Sequence, residues 1–212
     1  MYIPKAHEET RIDVLHDLIN AHPLGSIVTL GQAGLNVNHI PFLIDPARGE
    51  HGTLRGHVAR ANPMWTDFSN TTESVVIFQG PQAYISPNWY PSKHENGKAV
   101  PTWNYAVVHA HGFLTIREDA DWILQLVSDL TNAHESTQRL PWQVSDAPKD
   151  YIDKLLGAIV GIEIPINRLV GKWKVSQNRS DADRLGIAAG LQSKNTEASR
   201  AAADTVIKAL RE

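Results

Sequence analysis

The stretch "TWNYAVVHAHGFLTI", residues 102–116, constrains the fold more than any other. Read at period 2, one face carries Trp103, Tyr105, Val107, His109, His111 and Phe113. The opposite face carries Asn104, Ala106, Val108, Ala110, Gly112 and Leu114. An extended segment this long needs partners along both edges, and its small side lets another segment approach closely. A barrel strand meets both conditions. Partners are at hand. Residues 26–30, 36–44, 52–58, 73–80 and 83–86 read as strands before it and 160–166 as a strand after it, with turn signals at Gly31, Gly34 and residues 45–49. Helical periodicity covers 8–21 and 119–134, a further helix starts near Pro148, and two more follow Ser180, which stands at capping-box spacing from Asp183. Strands follow strands instead of alternating with helices, which argues against a doubly wound sheet. The expected class is mainly β, an antiparallel six- or seven-stranded barrel with N-terminal, middle and C-terminal helices.

At 212 residues the chain suits one domain, read as residues 1–190 with a helical extension over 191–212. The absence of cysteine excludes disulfides, thiolate zinc sites and iron–sulfur clusters, and it suits a cytoplasmic protein. A net charge of −3 gives no bulk electrostatic footprint for nucleic acid, so DNA binding would need a local patch or a dimer surface. No apolar run approaches the ~18 residues of a membrane span.

Ten histidines prompt a search for metal ligands. His109 and His111 share a strand face, but "HE" at 134–135 lacks the second histidine of a zincin, and no metal site is expected. Neither a nucleophile elbow nor a phosphate-binding glycine loop occurs, so no catalytic residue is assigned. Three segments are richer. "RGHVARANP" places Arg55, His57 and Arg60 at the end of a strand, suited to an anion. "GKWKVSQN" brings Lys172, Gln177 and Asn178. "GPQAYISPNWYPSK" (80–93) concentrates rigid rings and prolines. Together these hold the parts that flavin mononucleotide (FMN) needs: cations for phosphate, a flat wall from Trp89, Tyr90, Trp103 and Tyr105, and polar groups at Thr102, Asn104, Gln177 and Asn178 for the ring edge. Spacing alone does not select flavin over haem or another planar phosphate ester.

"HIPFLID", "GHVARANPMW", "VVIFQGPQAYISPNWYPSK", "VPTWNYAVVHAHG" and "GKWKVSQNR" resemble, in order, the signature segments of the PaiB family, described as FMN-binding negative transcriptional regulators. The resemblance runs from residue 1 to about 190. It implies a split-barrel flavin-binding fold like that of pyridoxamine phosphate oxidases, a homodimer, and FMN as cofactor. It places the phosphate near Gly56, His57, Val58 and Arg60, ahead of Asn62-Pro63, although the oxidases carry Ser-Arg-Lys where this chain has "GHVAR". It also turns His39 and Thr102–Asn104 toward the flavin. The expected function is negative regulation as a homodimer. The alternatives are a flavin-dependent oxidoreductase and a haem-binding split barrel.

Overall fold

The computed structural model describes residues 1–211. The strands are β1 (Glu8–Glu9), β2 (Leu24–Gly31), β3 (Gly34–Pro41), β4 (Leu43–Asp45), β5 (Thr53–Ala59), β6 (Ser74–Ile85), β7 (Thr102–Gly112), β8 (Thr115–Arg117), β9 (Ile159–Pro165) and β10 (Arg168–Lys174). The helices are α1 (Ile12–Ala21), α2 (Lys93–Asn96), α3 (Ala120–Glu135), α4 (Lys149–Leu156), α5 (Asp181–Ser193) and α6 (Glu197–Lys208). The mainly β, antiparallel class with helices at the start, middle and end is the one expected. The strand count exceeds the expectation because β1, β4 and β8 are pieces of two or three residues.

The chain divides into two compact units. One comprises Ile19–Phe78 and His109–Leu169. Here β2 and β3 form a hairpin in unbroken register from Leu24↔Pro41 to Gly31↔Gly34, and Ser26–Val28 pairs with Val75–Ile77 of β6. Gly34 adopts φ 114°, a conformation open to glycine, which explains the "GQAG" turn. A second sheet runs β4-β5-β9-β8, antiparallel throughout. Residues 36–44 split into β3 and β4 at Phe42. Its N–H leaves the ladder for the Pro23 carbonyl at 2.8 Å, and its side chain is buried edge-on to Phe78 with centroids 6.0 Å apart. Close packing also ends β7, because a Cβ at Gly112 would overlap the Pro165 carbonyl oxygen. Glu163 of β9 is buried between Arg48 and Arg117, accepting from each at 2.7 Å. Helix α3 starts at Asp119, whose carboxylate accepts from the Trp122 N–H at 2.8 Å, and buries Ile123, Leu126 and Leu130.

The other unit comprises Met1–Leu18, Gln79–Val108 and Val170–Glu212. Its strand order is β1-β10-β7-β6. Glu8 and Glu9, read from sequence as the first turn of a helix, instead pair with Lys172 and Gly171. Helix α5 begins at Ser180, which accepts from the Asp183 N–H as its spacing predicts, and α6 begins at a capping box of Thr196 and Ser199. The pair buries Ile187, Leu191, Ala202, Ala203 and Val206 against Ile85 and Tyr90. Leu191, the first residue of the expected extension, lies inside α5 and in this core. Among the described residues no helix is long and apolar enough to cross a membrane.

Candidate functional site

The proline-rich segment 86–96 is two tight turns. Ser86 caps the first, Pro87–Trp89, by accepting from the Asn88 N–H at 3.2 Å, with Pro87 at the helical start where a missing N–H costs nothing. The segment is then fastened to α5. Asp183 accepts from the Ser92 N–H at 3.0 Å and from its hydroxyl at 2.8 Å. Glycines at 186 and 190 of α5 let Trp89 lie against the helix: a Cβ at 186 would overlap the Trp89 carbonyl oxygen, and one at 190 would fall within 2.5 Å of its ring. The Lys194 ammonium covers the Trp89 ring 5.1 Å from its centroid.

This fastening holds Tyr90 at the wall of a cavity of about 150 Å³. β7 contributes Thr102 and Asn104 to that wall. The end of β10 and the turn after it contribute Lys174, Ser176, Asn178 and Arg179, and His7 completes it. The turn is forced by Ser176, which sits at φ 65°, a left-handed conformation costly for a residue with a Cβ. Buried Asn104 and Ser176 satisfy each other at 3.0–3.1 Å. The Lys174 ammonium donates to the Thr102 hydroxyl and, at 2.6 Å, to the Trp103 carbonyl. Burial pushes the Lys174 pKa down, and the neighbouring charges of Lys172 and Arg179 push the same way. The Arg179 guanidinium lies 5.1 Å from the Tyr90 ring centroid. His7 and Tyr90 of this wall each hold a buried polar atom, Nδ1 and Oη, that has no hydrogen-bond partner. Native proteins rarely leave such groups unpaired. Two cations with two orphaned polar atoms fit an oxygen-rich anion. The volume suits a terminal group and is below the ~300 Å³ at which pockets for whole ligands begin.

In the same unit, Lys172 donates to the Tyr2 carbonyl at 3.1 Å and lies 5.4 Å from the Tyr105 ring centroid. Gln177 folds back onto β10, accepting from the Val175 N–H and donating to the Trp173 carbonyl. Trp103 is exposed and meets Tyr84 edge-on at 6.3 Å. In the second unit, Arg60 donates to Glu118 and to the carbonyls of Gly157 and Ile159, and stacks on Trp65. Arg55 is paired with Asp129 at 3.0 Å, Val58 is buried, and His39 Nδ1 is 3.0 Å from the Ser26 hydroxyl. His57 is half-buried, its pKa lowered by burial. Asn62, ahead of Pro63, caps a short turn by accepting from the Met64 N–H at 2.9 Å. Among the described residues, no group of three or more histidine, cysteine or acidic side chains could hold a metal ion. Sequence reasoning missed Lys174, Arg179 and His7. Lys174 was within reach, since it shares a strand face with Lys172. His7 is some 170 residues from Asn178, and no local pattern links them.

A family model described as "Putative FMN-binding domain" matches residues 1–168. A protein of Emericella nidulans is 34% identical, covering 97% of this chain and 96% of its own length. The Bacillus subtilis "Protease synthase and sporulation protein PAI 2" is 31% identical over 91% of this chain and 89% of its own. Among solved structures, the "FAD and Heme binding protein from Mycobacterium smegmatis" superposes with a TM-score of 0.59 at 15% identity, over 87% of this chain and 80% of that one, a likeness of fold. The chain belongs to the FMN-binding PaiB family, on a split-barrel flavin-binding fold, with FMN as the family's cofactor.

Proposed function

We propose that this protein is a cytoplasmic, homodimeric negative regulator of transcription whose FMN is anchored by its phosphate in the cavity of Lys174, Arg179, Asn178 and Thr102. One observation carries the anchor: His7 Nδ1 and Tyr90 Oη are buried and unpaired beside two cations. An ionised phosphate supplies the acceptors that these groups lack. Bound FMN would supply a reversible redox centre. The chain's own part is to bind and orient it. Lys174 and Arg179 balance the phosphate charge, the Asn178 amide and Thr102 hydroxyl lie in the same wall, and Asn104, locked to Ser176, holds the wall's shape. On this reading Arg55 and Arg60 serve ion pairs and Trp89 serves packing. Exposed Trp103 and Tyr84 offer an apolar face to the ring or to a second subunit.

Titration of FMN by flavin fluorescence tests the anchor. Lys174→Met and Arg179→Met each remove a charge-assisted hydrogen bond, worth about 1.5–3 kcal/mol, so affinity should fall roughly 10- to 150-fold. Unchanged affinity in both variants overturns the assignment. The regulatory role predicts a salt-sensitive mobility shift on the protein's own promoter. Rapid NADH or NADPH turnover would instead mark an oxidoreductase, and a Soret band lost on replacing His109 or His111 would mark a haem protein.

A further inference from the structure

A second cavity, of about 300 Å³, lies wholly within the unit that contains β5, β9, α3 and α4. Its chemistry is the reverse of the first. Val127 of α3, Ile152 and Leu156 of α4, and Ile159 of β9 make an apolar lining, and Trp142, in the α3–α4 connection, stands at its edge. The volume is about ten times the ~30 Å³ share of one water molecule, far above the voids that packing leaves. Water gains little there, because the polar groups are few. The Thr131 hydroxyl is spent on the Val127 carbonyl at 2.7 Å. The other is the His57 imidazole, whose Nδ1 is buried without a partner. Burial pushes the imidazole pKa down, which favours a neutral ring.

The rim is built to stay open. The α3–α4 connection is pinned by the Trp142 N–H donating to Glu135 at 3.0 Å and by a reciprocal Gln143–Asp146 cap. Trp142 stays 44% exposed, and Leu155 of the same lining is exposed as well. An apolar hollow lined also by an indole and one imidazole has the composition of a small-ligand pocket.

We propose that this cavity binds a small, uncharged, largely apolar molecule, an aromatic ring bearing one hydroxyl, with the ring among Val127, Ile152 and Leu156 and the hydroxyl on His57. A carboxylate or ammonium would be buried without a counter-charge, so charged analogues are excluded. The cavity shares no lining residue with the one proposed for the FMN phosphate.

Phenol is the probe, with toluene and benzoate for comparison, added to the full chain carrying 5-fluorotryptophan. The Trp142 resonance is assigned from Trp142→Phe. Phenol should shift that resonance saturably, and benzoate should not. His57→Phe should lower phenol affinity about two- to tenfold, the worth of one hydrogen bond, and leave toluene binding in place. Ala158→Phe, at an exposed lining position that tolerates bulk, should abolish binding of both. The proposal fails if phenol produces no saturable shift, if Ala158→Phe leaves binding intact, or if benzoate binds as well as phenol.

Discussion

Gly186→Ala probes the fastening of the proline-rich segment to α5. In a helix, alanine is favoured over glycine by about 1 kcal/mol, so propensity alone predicts stabilisation. The structure predicts the opposite sign. The new methyl would overlap the Trp89 carbonyl oxygen and sit 3.0 Å from Pro91 Cδ. A carbonyl oxygen cannot swing aside as a side chain can, so the segment or the helix must move. Overpacking of this kind costs about 1–3 kcal/mol, and separation of the segment from α5 would also strain the Ser92–Asp183 hydrogen bonds. Set against the helix gain, this leaves a net loss of up to about 2 kcal/mol, or a fall in Tm of up to about 8 °C for a chain of this size. Gly190→Ala should also destabilise, because its methyl would overlap Trp89 Cγ, an atom that rotation of the ring leaves in place. Gly157→Ala is the control, since its nearest neighbour, the Lys154 carbonyl, would be at an ordinary 3.5 Å. Thermal unfolding by circular dichroism reads all three. The reasoning is refuted if Gly186→Ala unfolds at or above the wild-type temperature. Tyr90 follows Trp89 directly, so Gly186→Ala should weaken FMN binding as well.

Glu163 is pushed up by burial, but its hydrogen bonds to Arg48 and Arg117 outweigh this and hold its pKa below the usual carboxylate value. Its contribution is therefore present at neutral pH and lost as pH falls below the ordinary value through the folded one; Glu163→Gln should cost roughly 2 kcal/mol at pH 7 in urea unfolding, less than a fully buried pair because both arginines are half-exposed, and less at pH 3. Burial lowers the pKa of His22, His57, His109 and His111, so the unfolded chain takes up protons first. Stability should be full above about pH 6.5 and fall as pH drops below it, and a stability–pH profile flat between 7 and 5 would contradict those environments. Phe42→Ala, which empties a fully buried site against Phe78, should cost about 3–5 kcal/mol by chemical denaturation.

What could be read locally was the periodic part. The alternation of 102–112 became β7, the "GQAG" turn became the β2–β3 hairpin, and Ser180 capped α5, because each depends on neighbours within a few residues. The misreadings share a cause in distance along the chain. Glu8 and Glu9 follow helical charge logic, yet strand pairing with residues some 160 positions away outweighs it. Phe42 continues an extended pattern, yet burial against Phe78 and a bond to Pro23 draw it out of the ladder. Arg60 has the composition of a phosphate ligand, and Glu118 and two carbonyls take three of its five N–H donors, partners that no spacing rule reveals. Of the polar residues expected at the flavin, Thr102, Asn104 and Asn178 share one cavity, and the cations beside them, Lys174 and Arg179, were not among the residues expected there.

Comparing FMN with riboflavin, which differ only by the phosphate, tests the anchor most directly. Fluorescence titration should give FMN an affinity at least tenfold above that of riboflavin, with the difference shrinking as salt is raised and vanishing in Lys174→Met combined with Arg179→Met. Equal affinity for the two flavins in the unaltered protein would contradict the account.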